Sequence, residues 1–189
     1  MAIIETLYAL AAEVDAREDY TRHHSRKVSE YATDIARTLG YSTEDIERIR
    51  TSALLHDIGK IGLALPGKRL AENAAEWVKI RAHPYIGVVI LRNVDELKAC
   101  IPAIHYHHEH YDGTGYPDKL KGEDIPLDAR ILAVADVFDA MISPRPYRDA
   151  HPIEEVLDYI GKAAGSHFDP RVANAFLSAT APAQVGSTA

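Results

Sequence analysis

Cysteine is almost absent from this chain, and long apolar runs are missing altogether. Cys100 is the single cysteine among 189 residues, so no intrachain disulfide can form, and the expected location is the reducing cytoplasm. Cys100 lies in no motif and is expected to pack as a small apolar side chain. The longest apolar runs, Ile86–Leu91 and Ile131–Phe138, are too short for a transmembrane helix. The chain starts without a basic segment, so a signal peptide is not expected.

Basic residues are also in short supply. The chain has 21 Lys and Arg against 28 Asp and Glu, a net charge of −7, which disfavours a general nucleic-acid binder. The sequence lacks a phosphate-binding P-loop, a G-x-G-x-x-G fingerprint, a G-x-S-x-G elbow and an H-E-x-x-H motif. A composition of 47% hydrophobic and 26% charged residues excludes intrinsic disorder. We expect one domain over residues 1–180, followed by a flexible tail over 181–189.

Helical periodicity dominates the chain. Apolar residues recur every three to four positions, beginning with residues 3–17, and no alternating stretch makes a convincing strand. Later helices are predicted over 72–81 and over 94–108, with Pro102 either interrupting the latter or lying in an early turn. A long ordered loop is predicted over 111–128. Residues expected to begin or end helices are Gly40, Ser42 with Asp45, Gly59, Gly62, Asp128, Pro152, and Pro170 after Asp169. The sequence therefore predicts an all-α domain of about seven to nine helices.

Histidine, by contrast, is plentiful, with ten residues in the chain. The first notable pattern is LLHDIGK, where His56 and Asp57 adjoin at the end of an apolar helix. Charged residues are almost never fully buried unless they are paired or metal-bound. Imidazole and carboxylate together suit Mn, Fe, Co or Zn. The alternative is an Asp that caps the turn beside a packed His.

The second pattern is HYHHEHYDGTGYP, which contains four of the ten histidines. Adjacent residues project about 100° apart on a helix. His107 and His108 can therefore approach one metal from different sides. The whole group cannot join one coordination sphere, so His105 and His110 are expected to be solvated or packed. Two adjacent histidines just before a Gly-rich loop have little reason to be there for packing alone. The His107–His108 pair therefore favours a metal site.

The third pattern is ARILAVADVFDAM, in which Asp136 interrupts an apolar helix face and Asp139 follows one turn later. A buried carboxylate there needs a compensating charge, which either a metal or a buried salt bridge can supply. His24 in YTRHHS and His83 in RAHPYIG are two further candidates. Each alone is an ordinary histidine, and only the set as a whole indicates a metal site.

In their order along the chain these motifs, ending in DGTGYP, RILAVADVFDA and RPYR, resemble the HD-GYP domain, a subclass of the HD metal-dependent phosphohydrolases. The resemblance extends from about Asp19 to Phe176. It implies an all-helical HD fold and a bacterial origin. It also implies that the chain is a phosphodiesterase that hydrolyses cyclic di-GMP to pGpG, and often on to GMP, at a cluster of iron or manganese.

The resemblance also implies the site residues. Asp57 and Lys60 fall on catalytic positions, and Lys60, Arg145 and Arg148 fall on positions that contact the substrate phosphates. Seven ligands exceed the need of one metal, so we expect two divalent ions with Asp57 as the bridge, an arrangement that stabilises in-line displacement at phosphorus. The implied metal ligands are His24, His56, Asp57, His83, His107, His108 and Asp136.

Three features of the sequence depart from the family pattern. Tyr20 stands where three-metal members carry a Glu, and Glu18 and Asp19 would face elsewhere on a helix, which favours two metals. The interval from His56 to His83 is shorter than usual and contains LALPGKRLAENAAEWV, which predicts an altered substrate lip. His110 stands where an Arg is usual and removes no ligand.

Two alternatives stay open at this point. Instead of hydrolysing cyclic di-GMP, the chain could be a phosphodiesterase for another cyclic dinucleotide, or a weakly catalytic signalling module that acts through protein contacts of the loop that contains Gly115, Tyr116 and Pro117. Expected partners are cyclic di-GMP and a regulatory receiver domain, sensory domain or GGDEF-type protein, with no polymeric nucleic acid and no membrane segment. We further expect the substitution Arg145→Ala to weaken cyclic di-GMP binding more than metal binding.

Overall fold

The described part of the structure, a computed structural model, is helical and contains no β-strand. It covers residues 2–17, 23–63, 74–144 and 149–180. The all-α prediction is therefore confirmed for these ranges, and none of their helices is long and apolar enough to span a membrane. The helices are α1 Ala2–Arg17, α2 His24–Thr38, α3 Thr43–Leu55, α4 Ala74–Ile80, α5 His83–Leu91, α6 Ile101–Tyr106, α7 Leu127–Ile142, α8 Ile153–Lys162 and α9 Pro170–Thr180. The predicted tail over 181–189 lies outside these ranges.

Two apolar clusters form the interior. The larger one joins α2, α3, α7, α8 and α9 around side chains such as Ile35, Phe138 and Phe176. The smaller one joins α1 to the ends of α3 and α5 and to the segments that follow them, around Leu55 and Leu91. Residues 131–135 are all buried, so α7 is enclosed on most of its faces at the centre of the fold. Each fully buried large aliphatic side chain contributes about 1.5–3 kcal/mol.

Several predicted helix ends are confirmed. The Ser42 side chain accepts a 3.1 Å hydrogen bond from the Asp45 backbone N–H and caps α3. Gly40 has φ +80° just beyond α2, where the N–H of Tyr41 donates to the carbonyl of Ala36. Helices commonly end in this way, with a glycine in the left-handed conformation. Pro170 is the first residue of α9, and the carboxylate of Asp169 accepts a hydrogen bond from Arg171 N.

Other boundaries differ from the sequence prediction. Asp128 was expected to cap α7, but the helix follows Pro126 without a side-chain cap. The Asp128 carboxylate instead accepts hydrogen bonds from Tyr41 Oη at 2.9 Å and from Arg48 Nε at 2.7 Å. Sequence separations of 87 and 80 residues hide these two contacts from local patterns.

The helices on either side of the predicted metal motifs also end differently. The helix predicted to end at Gly59 ends at Leu55, and a 3₁₀ segment covers Ile58–Gly62. The helix predicted over 94–108 is a 3₁₀ segment, Asp95–Cys100, that continues into α6. Pro102 lies in the first turn of α6, where its missing N–H costs nothing. The predicted loop over 111–128 contains one short 3₁₀ turn at Gly122–Asp124 before α7 begins.

Candidate metal centre

Seven side chains from five parts of the fold meet at one place. They come from the start of α2, the turn after α3, the start of α5, the turn after α6 and the middle of α7. They form three overlapping groups whose potential ligand atoms lie within 4.8 Å of one another. The groups are His83 with His107 and His108, His24 with His56 and Asp57, and His56 with His107 and Asp136. The structure thus brings together all seven side chains that were predicted as ligands, whereas metal binding itself stays a prediction.

Asp57 lies at the centre of the cluster and is only 6% exposed. Its Oδ2 atom is 3.4 Å from His56 Nε2 and 4.0 Å from His24 Nε2. Its Oδ1 atom lies 3.2 Å from His83 Nε2, on the side of a different histidine group. One carboxylate therefore faces two sets of nitrogen donors, which is the arrangement that a bridging ligand requires.

Three of the histidines are oriented by the ends of the helices that precede them. Each lies just beyond a helix and donates Nδ1–H to a carbonyl three residues earlier, a group that the last turn leaves without a partner. The pairs are His56 with Ala53 O at 2.7 Å, His83 with Ile80 O at 2.7 Å, and His107 with Ile104 O at 2.8 Å. These bonds leave Nε2 as the free lone pair, as in metal-binding histidines. In the last two pairs, His83 and His107, the Nε2 atoms lie 3.4 Å apart.

His24 is held differently, by two carboxylates of α7. Its Nδ1 atom is 2.7 Å from Asp139 Oδ2, and its Nε2 atom is 3.1 Å from Asp136 Oδ1. Burial alone would lower the pKa of His24, but the hydrogen bonds with Asp136 and Asp139 outweigh burial and raise it to about 10. The sequence showed Asp139 one turn after Asp136 but gave it no role. In the structure Asp139 is the residue that orients His24.

The start of α2 depends on a second carboxylate that sequence reasoning missed. Asp15 of α1 is buried, and it accepts hydrogen bonds from the backbone N–H of Ser25 at 2.9 Å and from the Ser25 hydroxyl at 3.0 Å. The carboxylate thereby satisfies a free N–H of the first turn of α2, beside His24. Asp15 stands within an ordinary amphipathic helix pattern, so no sequence signal separates it from a surface acid.

The protonation states of the other residues in the cluster suit a cation, whereas His24, with its raised pKa, must give up its Nε2 proton to bind one. Burial lowers the pKa of His83 to about 4 and that of His107 to about 3, which keeps both imidazoles neutral. Burial also acts to raise the pKa of Asp57, but Lys60 and the surrounding histidines hold it well below its usual range. Asp136 likewise has a lowered pKa, because its hydrogen bond with His24 outweighs the effect of burial. Neutral imidazoles and ionised carboxylates are the forms that bind metals.

One buried atom indicates that the cluster fits a metal. His56 Nε2 is buried and has no hydrogen-bond partner, although its ring is already oriented through Nδ1. Leaving such a buried polar atom unsatisfied costs about 1–3 kcal/mol. A divalent cation among these nitrogen and oxygen atoms would satisfy it, and the donor set suits Mn, Fe, Co or Zn. The residues present therefore fit the predicted metals.

Two glycines allow the segments around the cluster to approach closely. A Cβ on Gly59 would lie 1.9 Å from the carbonyl oxygen of His83, and a Cβ on Gly115 would lie 2.2 Å from the backbone nitrogen of His110. Both distances are far below van der Waals contact. Glycine at these two positions therefore lets α5 and the GYP loop pack directly against the turns that carry the histidines.

The GYP loop, residues 111–128, packs directly on the turn that carries His107 and His108. The N–H of Tyr116 donates to the carbonyl of His108 at 3.1 Å, and the two rings stack with centroids 4.8 Å apart. Glu109, buried and missed by sequence reasoning, accepts a 2.7 Å hydrogen bond from Asp118 N. Glu109 stands between two histidines, and no sequence pattern distinguishes it from a solvated acid.

The remaining predicted residues lie at the edge of the cluster or outside the described ranges. Lys60 Nζ is 2.6 Å from Asp57 Oδ2. His110 packs against His167 with ring centroids 4.0 Å apart, and His105 packs against Tyr106, so both are packed as expected and neither joins the three groups. Outside the described ranges lie Glu18, Asp19, Tyr20, Arg145, Arg148 and much of the predicted lip, residues 64–73.

Comparison with known proteins gives one family and a consistent set of relatives. A family model described as "HD domain" matches residues 9–172. The chain is 42% identical over 180 residues to the cyclic di-GMP phosphodiesterase response regulator RpfG of Xanthomonas campestris pv. campestris, covering 92% of this chain and 47% of that protein. It is 36% identical over 182 residues to the 3′3′-cGAMP-specific phosphodiesterase 2 of Vibrio cholerae, covering 92% of this chain and 34% of that protein. The chain thus spans less than half the length of these relatives.

A solved structure shares the fold. The crystal structure of a cyclic GMP-AMP-specific phosphodiesterase of V. cholerae superposes with a TM-score of 0.72 at 23% sequence identity. The match covers 93% of this chain and 48% of that one. The likeness therefore extends over nearly the whole helical arrangement described above.

Proposed function

The chain belongs to the HD domain family, with the motifs of its HD-GYP subclass, and we propose that it is a metal-dependent phosphodiesterase of cyclic dinucleotides. The observation that carries the proposal is the buried cluster around Asp57, in which seven potential ligands converge from five parts of the fold. The names of the relatives supply the substrate class. A single cysteine is consistent with action in the cytoplasm.

The cluster would hold two divalent ions, and we propose iron or manganese. The residues that would hold the ions are His24, His56, Asp57, His83, His107, His108 and Asp136, and Asp57 would serve both ions because its carboxylate faces two sets of nitrogen atoms. Bound there, two ions supply Lewis acidity at the phosphodiester and neutralise charge that develops during an in-line displacement. The chain itself contributes oriented imidazoles, which need no reorganisation to bind because their Nδ1 atoms are already held.

Lys60 is a basic side chain at the edge of the cluster. About a quarter of it is exposed, and its ammonium group lies 2.6 Å from Asp57. A cation in this position attracts an anionic phosphodiester to a chain of net charge −7. It also stabilises the negative charge on the departing 3′ oxygen. We propose Arg145 and Arg148 as further phosphate contacts, on the sequence argument alone.

Cyclic di-GMP is the proposed substrate, with pGpG as the first product and GMP as the possible second. The relative with 42% identity is named as a cyclic di-GMP phosphodiesterase, whereas the relative with 36% identity is named as a 3′3′-cGAMP-specific phosphodiesterase. The second dinucleotide is therefore the alternative substrate. Because the matched part of this chain covers less than half of each relative, we also propose that a receiver domain, a sensory domain or a GGDEF-type protein regulates the activity.

Turnover and metal content measured on one preparation test the proposal. Protein purified without oxygen and loaded with iron or manganese is incubated with cyclic di-GMP or 3′3′-cGAMP, and the products are separated by chromatography. We expect linear dinucleotide from at least one of the two, and none from the Asp57→Ala variant. Intact dinucleotide in the presence of fully loaded protein would instead support the signalling-module alternative.

A further inference from the structure

We propose that Arg81, stacked on Tyr116, reads a guanine base of the substrate. This inference rests on the proposed function and names a specificity residue for it. The contact is direct, because Cζ of Arg81 lies 5.0 Å from the centroid of the Tyr116 ring. Tyr116 in turn stacks on His108 at 4.8 Å, with the planes inclined by 23°. Arg81 is therefore linked through the Tyr116 ring to a predicted metal ligand.

The Arg81 side chain is free to bind a ligand. It is exposed, and within the described part of the chain it makes neither an ion pair nor a side-chain hydrogen bond. An arginine stacked over an aromatic ring keeps the edge of its guanidinium, with its N–H donors, directed outward. The stacking on Tyr116 thus orients the group without using the donors that recognise a partner.

The position of Arg81 favours a base over a phosphate. A scissile phosphodiester must lie at the Nε2 atoms of the buried cluster, whereas Arg81 lies on the exposed surface, just beyond α4. In the proposed binding mode, one base of a dinucleotide bound there extends away from the phosphate toward Arg81. Aromatic rings and guanidinium planes are the surfaces on which bases stack. Trp77, 47% exposed and one helical turn before Arg81, adds a second such surface on the same side of the helix.

The donors of Arg81 match guanine and not adenine. Guanine presents two adjacent acceptors, O6 and N7, which a guanidinium binds in a bidentate manner. Adenine replaces O6 with an amino group, which sets one donor against another. Both dinucleotides in the names of the relatives contain guanine, twice in cyclic di-GMP and once in 3′3′-cGAMP. Arg81 would therefore accept both of them and discriminate against cyclic di-AMP.

Equilibrium binding measurements distinguish guanine recognition by Arg81 from a general effect on ligand or metal binding. Non-hydrolysable phosphorothioate analogues of cyclic di-GMP and cyclic di-AMP are titrated into the metal-loaded protein by calorimetry, and the metal content is measured on the same samples. We expect Arg81→Ala to weaken binding of the guanine analogue by about 10-fold or more and to leave the adenine analogue within about twofold. Arg81→Lys should recover only part of the loss, since an ammonium group cannot bind both acceptors in parallel.

The Lys79→Ala variant is the matched control. It removes one positive charge from the end of α4, two residues before Arg81, where the side chain points about 200° away from that of Arg81. We expect unchanged affinity and unchanged metal content. Equal weakening of both analogues by Arg81→Ala, unchanged affinity for both, or a loss of metal would each overturn the inference. Wild-type protein that binds neither analogue would overturn the proposed function itself.

Discussion

The imidazole of His24 and the carboxylate of Asp139 form a buried pair, with Nδ1 and Oδ2 2.7 Å apart. The first residue of α2 is thereby fixed by a side chain 115 positions later in the sequence. Asp139 is 2% exposed and belongs to none of the groups of potential ligands, so its contact with His24 is its link to the site. A carboxylate that accepts the Nδ1 proton sets the tautomer and the direction of the Nε2 lone pair.

Loss of Asp139 should weaken metal binding although it does not touch the metal. We expect Asp139→Ala to lower metal affinity by about 10–100-fold, and Asp139→Asn to lower it less, since an amide oxygen still accepts from Nδ1. Affinity is measured by competition with a chromophoric chelator, with circular dichroism to confirm that the variants fold. The control is Asp34→Ala, an exposed acid on α2 that pairs with Arg37. Equal affinities in Asp139→Ala and this control would refute the positioning role.

Part of the predicted metal cluster stands out in the sequence because its residues violate the pattern around them, and the family resemblance supplied the full set. His56, Asp57 and Asp136 interrupt apolar stretches. Asp139 was visible one turn after Asp136, but its partner was not, since nothing local connects it to His24. Asp128 is a second case. The local pattern predicts that it caps α7, but its carboxylate binds the hydroxyl of the distant Tyr41 instead. The periodicity of apolar residues predicts helices, whereas long-range side-chain pairs such as His24 with Asp139 depend on how those helices pack.

Removal of metal should destabilise the protein through Asp57. A ligand bound only to the folded state adds about 2.7 kcal/mol when its concentration is 100 times its Kd. We expect excess chelator to lower the Tm of the wild-type protein and to leave the Tm of Asp57→Ala nearly unchanged. Asp57→Ala and His56→Ala should each hold no more than half of the wild-type metal. If both variants carry a full complement by elemental analysis, neither residue is a ligand.

Replacement of Lys60 should affect catalysis more than metal binding. Its ammonium lies beside the Asp57 carboxylate, where it can stabilise developing charge. We expect Lys60→Met to lower kcat by about 10²–10³-fold, the typical cost of removing one stabilising donor, with a smaller change in KM and full metal content. The control is Lys98→Met, which removes an exposed lysine paired with Asp95. A kcat within twofold of wild type, or a loss of metal, would contradict this role.

Gly59 should tolerate no side chain, because α5 passes directly over it. A Cβ there would lie 1.9 Å from the carbonyl oxygen of His83 and 2.6 Å from the backbone nitrogen of Gly87, and neither backbone atom can move unless α5 shifts. We expect Gly59→Ala to lower the free energy of unfolding by about 3 kcal/mol or more and to lower the metal content, since His83 moves with α5. Gly161 in α8 is the matched control. Its added Cβ would meet only Leu177 Cδ1 at an ordinary 3.6 Å, so Gly161→Ala should stabilise the helix by about 0.5–1 kcal/mol. Denaturant unfolding of both variants measures the difference, and a Gly59→Ala variant as stable as wild type would show that the close contact with α5 is not required.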